Sequence, residues 1–186
     1  MKKYYFLLVT MLCMAFTSMC FMACGSDDDD DEGGGGGGST NTTINGQDIS
    51  YPYGYYAIEG NVLELIFTNW SAEDQKNGKI PSILDHMSID VVLPSVENSG
   101  IPTGEFTNFH VYVVHGTYEE LQKGGSGGQQ YEGRSKDGKV KLTITRNGDT
   151  YNVAYSKLSI GTDKISFSNS FNWSGTLQYA PGSMLK

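Results

Sequence analysis

Cysteine is confined to the first two dozen positions of this 186-residue chain, where Cys13, Cys20 and Cys24 are all three that it has. Everything after residue 24 therefore lacks disulfides, thiolate metal sites, iron–sulfur clusters and cysteine nucleophiles. Histidine is equally scarce, with three in all: His86, His110 and His115. His110 and His115 fall five apart on a predicted strand and so point to opposite faces, and no metal site is expected. No cofactor motif accompanies them. A basic field is missing too. Of the formal net charge of −8, six negative charges belong to residues 27–32 and Lys2 and Lys3 offset two, leaving −4 on the rest. That is ordinary solubility charge, with no footprint for nucleic acid.

What is present begins with Lys2 and Lys3, followed by YYFLLVTMLCMAFTSMCFMA at residues 4–23. A short positive start and an apolar stretch are the two parts of a secretory signal. About 20 apolar residues also suffice to span a bilayer, so a retained N-terminal helix is the alternative. The small residue before the cysteine in Ala23-Cys24-Gly25 resembles the lipobox of bacterial lipoproteins, which implies that Cys24 becomes the lipidated first residue. Phe21 stands where that family favours leucine, as in the looser boxes of Bacteroidota lipoproteins. Cys20, preceded by Ser18 and Met19, is the poorer cleavage site. The resemblance implies membrane attachment through the lipid and the lipoprotein processing and export machinery as partners.

Asp27, Asp28, Asp29, Asp30, Asp31 and Glu32 follow. By charge alone this is a solvated, self-repelling run. Directly after a lipidated cysteine it resembles the export signal that sends Bacteroidota lipoproteins to the outer face of the outer membrane, which implies a cell-surface location. The glycines at 33–38, then Ser39-Thr40-Asn41, have the composition of a flexible tether. The chain thus divides into a signal peptide at 1–23, an anchor, acidic signal and tether at 24–43, and a single β-domain at 44–186, long enough to bury a core without staples.

In that domain no persuasive helical period occurs, whereas period-two alternation recurs between turn signals. Val140, Leu142 and Ile144 alternate with lysine and threonine, Asn147-Gly148 marks a hairpin, and Tyr151, Val153 and Tyr155 return. Ile165, Phe167, Phe171, Trp173, Leu177 and Tyr179 share one parity and are expected on the core face, on one strand or on two broken near Asn169. Further strands are predicted over 53–59, 62–70, 87–93 and 106–115, a small hairpin at Asn45-Gly46, and a turn of helix at 72–75. The stretch 116–137, which contains Gly-Gly-Ser-Gly-Gly, is expected to be a loop. Short strands at about 8–12-residue spacing without crossover helices predict an all-β, antiparallel meander, a β-sandwich or a flattened up-and-down, lipocalin-like barrel. The runs YPYGYYAIEGNVLELIFTN, LPSVENSGIPTGEF and GKVKLTITRNGDTYNVAYSKLSI resemble small β-rich surface lipoproteins of Bacteroidota. That resemblance implies fold and location and carries no catalytic residue.

Asp85, His86 and Ser88 hold the letters of a triad, but neighbours on a strand diverge, and a triad is defined by spatial roles. Glu73-Asp74 and Glu119-Glu120 fall in loops, where solvated acids are the ordinary reading, and no enzyme is expected. The aromatics are the positive signal. Trp173 shares the core parity. Trp70 falls on the parity opposite to Leu63, Leu65 and Phe67, and inward Phe109, Val111 and Val113 turn His110 and Tyr112 outward. Trp70, His110 and Tyr112 are therefore the candidate ligand-binding residues, for stacking on a glycan or packing against an outer-membrane protein. The expected function is non-catalytic binding of a glycan or other extracellular ligand, with a structural role in a larger outer-membrane complex as the alternative.

Overall fold

The computed structural model describes residues 39–40, 42–44, 46–94, 100–122, 128–135 and 137–180. Cys24, the acid run Asp27 to Glu32 and the tether glycines at 33–38 lie outside them, whereas Ser39-Thr40 and Thr42-Thr43, expected in the tether segment, belong to β1 and β2. The strands are β1 (Ser39–Thr40), β2 (Thr42–Ile44), β3 (Gln47–Ile49), β4 (Tyr53–Glu59), β5 (Val62–Thr68), β6 (Leu84–Val92), β7 (Gly104–Phe106) and β8 (Phe109–Gly116). They continue as β9 (Gln129–Ser135), β10 (Leu142–Asn147), β11 (Thr150–Gly161), β12 (Ser166–Gly175) and β13 (Leu177–Tyr179). Two one-turn helices, α1 (Ala72–Lys76) and α2 (Tyr118–Gln122), sit in the connections after β5 and β8. The fold is all-β, and none of the described helices is long and apolar enough to cross a membrane.

One sheet runs β1-β12-β11-β9-β8-β6-β5-β4-β13 and curls into a half-barrel, with β10 on β11, β7 on β10, and β2–β3 as a separate hairpin. The concave side is the core. Leu63, Leu65 and Phe67 of β5, Met87, Ile89 and Val91 of β6, and Phe109, Val111 and Val113 of β8 all point into it. Strand parity puts every second side chain there, as the alternation predicts. Leu142, Ile144, Val153 and Tyr155 of the Asn147-Gly148 hairpin complete it.

Trp173 is fully buried, its ring centroid 5.0 Å from that of Phe67, and its Nε1 donates to the Tyr51 carbonyl at 2.9 Å. Its edge lies so close to β4 that a Cβ on Gly54 would stand 2.6 Å from it. Only glycine leaves room there. Since Thr176 alone separates β12 from β13, the last strand bridges the two ends of the sheet path. It pairs with β11 through β12 and with β4 through β13.

The structure corrects several sequence expectations. The region read as a loop contains β9, a central strand paired along its length with β8. Its core-parity residues are Tyr131, Gly133 and Ser135, and two of the three are too small to give a hydrophobic period. Gly133 is small because β11 crosses there: an added Cβ would lie 2.5 Å from the Ser159 carbonyl oxygen. The C-terminal run breaks at Thr176, while Asn169 lies buried inside β12. Ile165 and Tyr179, expected in the core, are 48% and 63% exposed: Ile165 lies in the turn before β12, and Tyr179 on β13 packs edge-on against the Tyr56 ring. The β13–β4 pair is parallel, whereas the meander predicts antiparallel pairing throughout.

Candidate functional site

The convex face carries the residues singled out from the sequence. Trp70 is there, as its parity requires, but it is 7% exposed and forms a small buried cluster with Leu84, Val114 and Leu121, against which Tyr112 packs. An open stacking surface at Trp70 is therefore ruled out. Parity gives the face on which a side chain lies and says nothing of what covers that face. Here α1 and its flanks wrap the indole: Nε1 donates to the Lys79 carbonyl at 2.7 Å, and Gln75 Nε2 donates to the Trp70 carbonyl at 3.0 Å. Ser71 caps α1 by accepting from the Asp74 backbone N–H, and Asp74 also pairs with Lys79. On α2, Glu120 Oε2 accepts from Thr117 N and Oγ1, a reciprocal cap that drops Leu121 onto the cluster. Asp74 and Glu120, members of the two acid pairs noted in the sequence, are thus engaged in capping.

His110 lies half-buried on this face, one row from Tyr112. Strand register places Glu64, Asp90, His110 and Arg134 side by side on β5, β6, β8 and β9. Burial, with the charges of Asp90 and Glu59, pushes the Glu64 carboxyl up to about 8. Burial also raises Asp90, against the pull of His110 and Arg134. His110 is lowered by burial and by Arg134, opposed by Asp90 and by Glu132, whose Oε2 lies 3.6 Å from Nε2. His86, beside Trp70 in the lining of a cavity of about 20 Å³, is pushed down to about 4 by desolvation. These groups lie on one face, but the structure does not assemble Trp70, His110 and Tyr112 into an exposed platform.

Asp85 turns the other way from His86 and Ser88, so those three do not form a triad. Its Oδ1 meets His115 Nδ1 at 2.6 Å across the β6–β8 pair, and Asn69 donates to Oδ2 at 3.3 Å. Sequence reasoning missed this pair because register between strands of unknown order is not readable from spacing. Among the described residues no group of three potential ligands is placed to hold a metal.

An open depression lies elsewhere, over β10, β11 and β12. It is an open trough of about 770 Å³ lined by Thr42, Thr43, Lys139, Lys141, Thr143, Ala154, Ser156, Ser168, Ser170 and Asn172, bordered by Val140 and by the buried Tyr155 and Phe171 beneath. Cross-strand register sets Thr143, Ala154 and Asn172 in one row. The small Ala154 in the middle, between longer side chains, makes the row concave. A β-bulge after Tyr155 opens the sheet further: Ser156 and Lys157 have no partner on β12, and Lys157 adopts φ 57° while its N–H donates to Ser170 Oγ at 3.0 Å.

The wall of the trough is the β2–β3 hairpin, held by a buried polar network. Tyr155 donates its hydroxyl to Asn169 Oδ1. Asn169 Nδ2 donates to Thr42 Oγ1 at 3.2 Å and to the Thr43 carbonyl at 3.0 Å, and Thr42 Oγ1 donates to the Ser170 carbonyl at 2.8 Å. The network satisfies the polar atoms of buried Asn169 and Thr42 and fixes the hairpin against β12. Hydroxyls, an amide and ammonium groups are groups that hydrogen-bond to a polar ligand. A second open depression, of about 680 Å³ around Thr103, Thr145 and Arg146, has no aromatic lining.

Comparison with family models, curated proteins and solved structures returned no match for this chain.

Proposed function

We propose that this chain is a lipid-anchored lipoprotein of the outer-membrane surface whose β-domain binds a glycan, without catalysis, in the trough over β10, β11 and β12. The observation that carries the binding half is the trough itself: about 770 Å³, within the size range of ligand sites, and lined by hydroxyl, amide and ammonium groups. Its openness suits a chain-like ligand that enters and leaves at both ends. The anchoring half rests on Ala23-Cys24-Gly25 and the acid run. The hairpin that walls the trough comes directly after β1, near the start of the folded domain.

A glycan screen with wild-type protein and an Asn172→Ala, Thr143→Val double variant tests the binding half. Asn172 and Thr143 are surface residues of the trough, so the variant should fold as wild type and lose affinity by tenfold or more. A glycan bound equally by both proteins would move the site away from the trough. Cys24→Ala should abolish fatty-acid labelling and release the protein, and alanine at Asp27 to Glu32 should leave labelling intact while removing accessibility to external protease.

A second reading, packing against a larger outer-membrane complex, is favoured by the edge strand β13, which pairs on one side only and exposes Tyr179. Tyr179→Ser should disrupt co-purification with such a complex and leave glycan binding unchanged.

A further inference from the structure

We infer that the ligand of the trough is anionic, an acidic oligosaccharide bearing carboxylate or sulfate groups. This rests on the trough being the glycan site. Two observations carry it independently. Without residues 27–32 and the two leading lysines the chain still carries a net −4, yet the described lining of the trough contains Lys139 and Lys141 and no carboxylate. Lys139 and Lys141 do have partners at the rim, Asp137 at 3.7 Å and Glu105 at 2.6 Å, but all four side chains are more than half exposed. Pairs of that kind are weak and exchange readily for another anion.

The second observation is Lys157. Among the described residues it is the one non-glycine with positive φ, at 57°. In that conformation a Cβ crowds the backbone and glycine is the relaxed residue, with asparagine and aspartate next. The bulge after Tyr155 puts one residue in the left-handed region, and an exposed lysine stands there where glycine would be relaxed. It stands between Ser156 and the Ser170 hydroxyl that its N–H engages, and both serines line the trough. Lys157 does not itself line the trough, but it follows Ser156 at the bulge and adds an exposed positive charge beside the trough that holds Lys139 and Lys141. Carboxylate and sulfate share this chemistry and differ in geometry, so both are tested.

The experiment uses the full chain purified in detergent and titrates three probes of equal length: a chondroitin sulfate hexasaccharide, a hexagalacturonate and a neutral glucose hexasaccharide. At least one acidic probe should bind tenfold or more tighter than the neutral one, with affinity falling as salt rises. Lys139→Glu with Lys141→Glu should lower that affinity by tenfold or more. Lys157→Gly distinguishes recognition from folding, since it relieves the backbone: thermal stability should rise while acidic-probe affinity falls several-fold. Acidic binding indifferent to the lysine variants would overturn the inference. Equal or tighter binding of the neutral probe would overturn the charge preference and leave the trough as a glycan site. Binding of none of these, with a different glycan hit insensitive to Asn172→Ala, would overturn both.

Discussion

Glu64→Gln should change how the stability of this protein depends on pH. Glu64 lies half-buried on β5 directly opposite Asp90 of β6, and its carboxyl is raised to about 8 by burial, then by Asp90 and Glu59. In the unfolded chain it returns to the ordinary value near 4.5. A raised carboxyl pKa means the folded state holds a proton that the unfolded state has lost. Stability from this group is therefore complete below pH 4.5 and is lost as pH rises to about 8. The full gap corresponds to roughly 5 kcal/mol at 1.36 kcal/mol per unit, and solvent access to the half-buried side chain reduces it to about 2–3 kcal/mol. His86 acts with opposite sign: depressed to about 4, it favours the folded state as pH rises to 6.5 and contributes nothing further above that. The two largely offset each other between pH 4.5 and 6.5, so the fall due to Glu64 should be visible from pH 6.5 to 8.5. Urea denaturation midpoints across that range should decline for the wild-type protein, and Glu64→Gln, which keeps the shape and cannot ionise, should flatten the decline. A flat wild-type profile, or an unchanged decline in the variant, would refute burial of an ionisable Glu64.

Three further substitutions test the packing. Trp70→Ala should cost about 3 kcal/mol, comparable with the roughly 3–5 kcal/mol for Trp173→Ala, since both rings are buried and hydrogen-bonded; paired chemical denaturation curves decide this, and a loss under 0.5 kcal/mol would return Trp70 to the surface. Gly54→Ala should destabilise by about 1–3 kcal/mol, because the new Cβ meets the Trp173 ring, and near-ultraviolet circular dichroism should show the indole displaced. Asn169→Ala should cost about 1–3 kcal/mol by leaving the Tyr155 hydroxyl only the weak Met87 sulfur acceptor and removing the Asn169 donor from the Thr43 carbonyl, and amide exchange over β2 and β3 should speed up.

Strand alternation made much of the fold legible. The hairpin around Asn147-Gly148, the inward set of β8 and the burial of Trp173 all follow from period two and turn chemistry, because each is a property of consecutive residues. β9 was hidden because the crossing with β11 demands glycine where a core side chain would have given the period. Trp70 shows the same limit from the other direction: parity places it on the convex face, but the way the helical turn α1 folds back over it, and the docking of α2 from beyond β8, have no period to read. The trough depends on a bulge after Tyr155 and on a hairpin docked from residues 42–49, and neither has a local signal beyond Asn45-Gly46. Lys157 reads as an ordinary surface lysine until its backbone conformation is known.

The central claim is that the trough over β10, β11 and β12 is the ligand site. The most direct measurement is amide chemical-shift mapping of the protein titrated with a glycan that binds it. Perturbations should concentrate at Thr143, Ala154, Ser156, Ser170 and Asn172, with the Thr42 and Thr43 amides of the docked hairpin responding beside them. Shifts concentrated instead at Ser88, His110 and Tyr112 on the convex face would contradict the account.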